Sequence, residues 1–287
     1  MSTEKKNILR IDASTLQVSD CARQVYLQNI QGYQPKRGNV NLVWGNAIHK
    51  GIAHWVLTRD KDTAIQRALD YYEKQELTYT HPVKDEISVE YVLNKYFIAY
   101  KEDSFAPLEA NGKLAIELPF KIPFYATPKT DVILCGMMDA IGTESKPCFK
   151  DIKTSSSYNP NKYFTTYENS LQMMIYTWVI KHLGIYNYYL PVVIDGIFCS
   201  KSGIKMQRSA PIDYSPLVID RMMDWARKRV AYITQCYETN DYPYNFSRCK
   251  HEYGTCTFID HCKMQDAYQE QNLSGNFTQR TYDPTNF

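Results

Sequence analysis

The sequence predicts an α/β fold, a mixed β-sheet flanked by helices. Three observations carry this. Residues up to about 110 repeat apolar positions with the helical period. Near Leu114 the period switches to two. From there strand-like runs alternate with helical ones, an order that buries a sheet between helices. The 287 residues suffice for one large domain or two ordinary ones. The expected organisation is one domain over 1–270, with a helical insertion near 60–110, a C-terminal Cys-rich segment at 245–265 and a flexible tail at 271–287.

Ser14 is expected to cap a helix running to about Asn29 that carries Cys21, Arg23 and Tyr26. A Gly/Pro/Lys-rich loop follows from Gly32 to Gly38. A second helix, about Val40 to Thr58, carries Trp44, His49, Ile52 and Val56. Asp62 is the expected cap of a third, ending near Leu77, and a fourth spans about Asp85 to Lys101. From Leu114 to Phe124 apolar residues alternate with polar ones and two prolines, which marks an edge or bulged strand. Strands Val132–Asp139 and Cys148–Lys153 come next, then a helix from about Thr166 to Leu183 that Gly184 stops. Val192 to Cys199 reads as a buried strand and Ile204 to Ala210 as its partner. A long helix covers about Ser215 to Thr239.

The chemistry concentrates on the middle strands. Asp139 ends one strand. In Phe149-Lys150-Asp151-Ile152-Lys153 the two-residue period puts Asp151 and Lys153 on one face and Lys150 and Ile152 on the other. Two carboxylates and an ammonium at the end of a hairpin suit a Mg²⁺ or Mn²⁺ ion and a water placed against a phosphate. A bare D-x-K also occurs on ordinary surface hairpins, so the rest of the chain must support it. Gln172 and Tyr176 lie one helical turn apart and share a face, where an amide and a hydroxyl can hold a phosphate or a base edge. His49 has apolar helical neighbours; it is a core residue unless Asp139 and Asp151 make it a metal ligand. Glu117 is a further acid that alternation places away from the apolar side of its strand.

Composition narrows the class. The 33 basic and 31 acidic residues nearly cancel, so no global field draws the chain to nucleic acid. Local patches remain: Lys146, Lys150 and Lys153; Lys201, Lys205 and Arg208; Arg221, Arg227, Lys228 and Arg229, each read as a solvated face when taken singly. No apolar run approaches the roughly 20 residues of a membrane helix. The N-terminus lacks the apolar stretch of a signal peptide. The expected location is the cytoplasm, where the eight cysteines stay reduced. Cys249, Cys256 and Cys262 fall within a short segment, which favours metal over disulfide. Soft thiolates select zinc or an iron–sulfur cluster, with the fourth ligand either distant or one of His251 and His261. Cys135, Cys148, Cys199 and Cys236 read as small buried hydrophobes.

In order, these pieces resemble the PD-(D/E)XK nuclease superfamily in its RecB-like branch, which includes CRISPR-associated and phage exonucleases. The family order is G-x-x-x-H, G-x-x-D, (D/E)-x-K and Q-x-x-x-Y. Here it is Gly45…His49, Gly136…Asp139, Asp151-Ile152-Lys153 and Gln172…Tyr176. The resemblance implies a restriction-endonuclease-like fold. It implies that His49, Asp139, Asp151 and the Ile152 carbonyl hold Mg²⁺ or Mn²⁺, with Asp139, Asp151 and Lys153 catalytic. Lys153 would orient or help deprotonate the attacking water, and Gln172 and Tyr176 would contact DNA. Iron–sulfur members place one Cys before the His helix and three after the core, which implies a [4Fe–4S] cluster on Cys21, Cys249, Cys256 and Cys262. Two departures stand out: Asp151 where Glu is commoner, and a Cys249–Cys256 gap longer than C-x-x-C. The implied function is a metal-dependent exonuclease on single-stranded DNA ends in recombination, repair or phage DNA processing, beside a helicase or recombination protein. The alternatives are an inactive nuclease-fold module that binds DNA or protein, and a zinc-binding interaction protein.

Overall fold

A computed structural model describes residues 6–110, 112–157, 159–201, 203–251, 254–283 and 285. They group into two compact units. One comprises residues 37–118 and 138–216; the other comprises 1–36, 119–137 and 217–287. The Thr130–Thr143 strand begins in the second and ends in the first. The fold is the expected mixed α/β arrangement, with parallel and antiparallel pairs in a sheet flanked by helices.

In the unit that holds the candidate site, the end of the Thr130–Thr143 strand pairs antiparallel with Pro147–Ser155, Ala140 opposite Lys150. Pro147–Ser155 pairs parallel with Val192–Ser200, Asp151 opposite Ile194. Gly203–Arg208 returns antiparallel along that strand. Three helices, Val40–Thr58, Lys61–Glu73 and Glu86–Ala99, share a core with Ile152, Ile197 and Cys199. Their apolar residues recur every three or four positions, so each buries one stripe. Trp55 stacks on Phe97 at 4.9 Å and meets Tyr96 edge-on at 6.1 Å. Asp60, and not Asp62, caps the second of these helices, its carboxylate accepting from the Thr63 N–H at 3.1 Å. The helix expected from Thr166 begins only at Leu171 and runs to His182, and a separate short helix, Pro160–Thr165, precedes it. The break follows because the Ser170 hydroxyl caps a fresh start by accepting from the Met173 N–H.

In the other unit a strand that the sequence pattern does not reveal, Asn7–Ile11, pairs parallel with Thr130–Leu134. The helix expected over residues 14–29 breaks into Ala13–Val18, Ala22–Val25 and a wide turn, Tyr26–Ile30. Its cap is Asp12, which accepts from the Thr15 N–H at 2.7 Å. The break comes where the Ser19 hydroxyl donates to the Leu16 carbonyl at 2.6 Å, competing with the helical bonds. Phe120 and Ile122 are buried while Pro119 and Pro123 face outward, as the alternation required. The segment expected as a tail continues the Asp266–Asn276 helix and then pairs Phe277–Gln279 with Tyr33–Pro35.

Candidate active site

The Val40–Thr58 helix lies close to the Asp151 strand because Gly45 has no side chain: a Cβ there would stand 2.9 Å from Thr154 Oγ1. One turn later His49 emerges half-buried, and its Nδ1 is 3.4 Å from Asp139 Oδ2. The same Asp139 oxygen accepts the Ile152 N–H at 2.8 Å, which ties the two strands at the site. With Glu117, Asp139 and Ile152, His49 lines one cavity. Burial pulls the His49 pKa down, but the Asp139 carboxylate outweighs it and the net direction is up. Burial raises Asp139, and His49 and Lys153 outweigh it, so its net direction is down.

Asp151 and Lys153 share a face as the strand period requires, with Lys153 Nζ 2.8 Å from Asp151 Oδ2. The carboxylate is 2% exposed and the ammonium 23%. Burial and the nearby Asp139 charge push Asp151 up to about 6, against the pull of Lys153. Lys153 is raised despite its burial, because two carboxylates face it. Its ammonium also donates to Gln172 Oε1 at 3.1 Å, and Gln172 Nε2 donates to the Tyr176 hydroxyl at 3.1 Å. Gln172 and Tyr176 therefore share a face, as expected, and hold the lysine.

Glu117 reaches the His49 cavity from a left-handed backbone, φ 47°, which a non-glycine residue adopts only where the surroundings enforce it. Burial and Asp139 raise its pKa although much of the residue faces solvent. The donors fit a hard divalent cation. Oxygen groups and one imidazole surround the site, and the buried Asp151 carboxylate faces a single cation, the Lys153 ammonium on its Oδ2. The two carboxylates oppose each other's ionisation, a repulsion a cation would relieve. Among the described residues no three His, Cys, Asp or Glu side chains form a ready ligand cluster.

The strand's opposite face carries a charged network that the sequence pattern does not reveal. Arg208 bonds Asp195 at 2.6 Å, Asp103 at 2.7 Å and Glu144 at 2.9 Å. Lys150 pairs with Asp103 at 3.3 Å and Asp195 at 3.6 Å. Lys150 and Arg208 are therefore not solvated patches. Asp195, wholly buried in an otherwise apolar strand, was the available signal. A buried charge demands a partner.

In the other unit Cys21, Cys249, Cys256 and Cys262 line one pocket, with Cys21 at the cap of the Ala22–Val25 helix. All eight cysteines are free thiols, and Cys135, Cys148, Cys199 and Cys236 are buried as expected. Burial pushes Cys262 up to about 11 and also raises Cys256. Thiolates are the donor type that zinc and iron–sulfur clusters take, but among the described residues these cysteines are not grouped as a set that could hold a metal. His261 is buried, with neither ring nitrogen hydrogen-bonded. The side chain of His251 lies outside the described residues.

The PD-(D/E)XK nuclease superfamily model matches residues 14–263, and the chain belongs to that superfamily. Among solved structures it is similar to a candidate exonuclease from Eubacterium rectale, at 10% identity and a TM-score of 0.53, covering 88% of this chain and 87% of that one. That likeness shows the fold. A protein described as SSO0001 aligns over 80% of this chain and 78% of its own, at 13% identity and a TM-score of 0.35. No curated protein sequence matches the chain.

Proposed function

We propose that the protein is a metal-dependent deoxyribonuclease, an exonuclease that acts on single-stranded DNA ends in recombination, repair or phage DNA processing. The observation that carries the reading is the continuous set of contacts from His49 through Asp139 and Ile152, with Asp151, Lys153, Gln172 and Tyr176 alongside. His49, Asp139, Asp151 and the Ile152 carbonyl are the groups that would hold one or two Mg²⁺ or Mn²⁺ ions. Such an ion, when bound, polarises a phosphate oxygen and acidifies water. Asp139, Asp151 and Lys153 are the proposed catalytic residues. Water adds to phosphorus, one P–O bond breaks, and the proton lost by water ends on the departing alkoxide. Lys153 stabilises the charge that builds on the phosphate. Its raised pKa favours this role over that of a base. Gln172 and Tyr176 orient Lys153, and through it the strand being cut.

The intact acid–His–Lys set weighs against an inactive binding module. Cys21, Cys249, Cys256 and Cys262 are proposed to hold a [4Fe–4S] cluster; the support is their shared pocket and the resemblance of their order to iron–sulfur members. The cytoplasm rests on the reading of the sequence, and a helicase or recombination partner on the resemblance alone. Among the described residues no helix is long and apolar enough to cross a membrane.

The test incubates anaerobically purified protein with end-labelled single- and double-stranded DNA, with Mn²⁺, Mg²⁺ or EDTA. The expected result is metal-dependent shortening of single strands from an end. Intact DNA with both metals overturns the nuclease reading; internal cuts on circular single strands overturn the exonuclease part.

A further inference from the structure

On the Val40–Thr58 helix, Asn46, His49 and Lys50 stand at i, i+3 and i+4 and share the face that leaves the core. Their neighbours Ala47, Ile48 and Ile52 are buried. Asn46 is exposed and Lys50 half-buried. Among the described residues no carboxylate lies within ion-pair distance of Lys50. An ammonium that has lost much of its hydration and has no counter-charge calls for an anion.

Tyr71 fixes the position of that ammonium. Gly51 lets the Lys61–Glu73 helix cross close by, since a Cβ there would stand 3.3 Å from the Ala64 carbonyl oxygen. About two turns beyond Ala64, Tyr71 brings its ring under Lys50, whose Nζ lies 5.1 Å from the ring centroid. The Tyr71 hydroxyl accepts from Asn46 Nδ2 at 3.2 Å. It keeps its own proton to donate. The next residue, Tyr72, is a core tyrosine, 6% exposed, and its hydroxyl donates to the Lys84 carbonyl at 2.9 Å. The acid before Tyr71, Asp70, accepts from Gln66 at 2.7 Å.

This patch borders the candidate metal site. His49, which contacts Asp139, directly precedes Lys50. Glu117 lines the His49 cavity, and its carboxyl feels Lys50: burial raises the pKa and the ammonium opposes the rise. An ammonium, a hydroxyl and an amide N–H on one face suit a phosphodiester, which carries one negative charge and two free oxygens. We infer that Asn46, Lys50 and Tyr71 hold a phosphate of the DNA strand next to the one being cut. The source of that phosphate rests on the proposed nuclease reading; a free nucleoside monophosphate shares the chemistry.

The test measures binding of fluorescent (dT)15 and of dTMP to the full chain in EDTA, across a salt series. Lys50→Gln should weaken (dT)15 binding about three- to tenfold and flatten the salt slope by about 0.7, the value for one phosphate no longer neutralised. Lys50→Arg should keep the slope. Tyr71→Phe keeps the ring under Lys50 and should weaken binding about two- to fivefold at unchanged slope, the net effect of one neutral hydrogen bond. Unchanged affinity and slope in Lys50→Gln overturn the subsite. Loss of dTMP binding with (dT)15 unaffected assigns the donors to a free mononucleotide and overturns the strand assignment. In cleavage with Mn²⁺, Lys50→Gln should raise KM and leave kcat within about twofold. A kcat about tenfold lower at unchanged KM makes Lys50 part of the chemistry and overturns the binding role. Wild-type protein supplies a readout that does not depend on folding of the variants: bound (dT)15 should slow acetylation of Lys50, read by mass spectrometry, and an equal rate overturns the inference. Binding that depends on Lys50 with no cleavage by wild type overturns the nuclease reading and leaves the phosphate subsite standing. Cleavage by wild type with a silent Lys50→Gln overturns the subsite alone.

Discussion

Gln172→Ala separates a residue that holds DNA from one that holds the catalytic lysine. Gln172 accepts from the Lys153 ammonium and donates to the Tyr176 hydroxyl, both at 3.1 Å. A hydrogen bond to a charged group contributes about 1.5–3 kcal/mol. Lys153 keeps Asp151 at 2.8 Å, and its exposure lets water replace the amide, so the lower end applies. That loss in the transition state corresponds to about a tenfold fall in rate. Stability should fall by about 1.5 kcal/mol, the same lower end for a bond to a charged group. The assay is steady-state cleavage of end-labelled single-stranded DNA with Mn²⁺, beside a thermal melt. A positioning role predicts that kcat falls about tenfold while KM stays within about twofold. A raised KM at unchanged kcat would refute the bracing argument and assign Gln172 to direct DNA contact.

Asp139→Ala, Asp151→Ala and Lys153→Ala should each lower metal-dependent cleavage about a hundredfold or more while circular dichroism stays native; near-wild-type cleavage by any one removes its role. Arg208→Met leaves two buried carboxylates, Asp195 and Asp103, to the single Lys150 ammonium and should cost about 3 kcal/mol in denaturant unfolding; a loss below about 1 kcal/mol refutes the network's importance. Arg208 and Lys150 overcome the effect of burial on Asp103 and hold its carboxyl at about 2. Its stabilisation is full above the ordinary carboxylate range and is lost as pH falls from about 4 towards 2. Asp103→Asn should therefore flatten the acid limb of a stability–pH curve by about 2 kcal/mol, and an unchanged limb contradicts the assignment. Cys21→Ser should abolish the visible absorption of anaerobically purified protein and lower its melting temperature; a full iron and sulfide content in that variant points to His251 or His261 as the fourth ligand.

The sequence alone determined the α/β class and the strands that carry the chemistry. A period of two is a property of the extended chain, so the common face of Asp151 and Lys153 follows from adjacency in sequence. The one-turn spacing that lets Gln172 reach Tyr176 follows from the helix in the same way. Tertiary structure decided whatever depends on distant partners. The contact of His49 with Asp139, the left-handed backbone at Glu117 and the ion network of Lys150 and Arg208 join residues far apart in the chain. The same holds for strand Asn7–Ile11, too short to read without Thr130–Leu134 beside it. A charged side chain reads as solvated until its buried counter-charge is located. Arg208 looked like surface because Asp103 and Asp195 are brought to it only by folding.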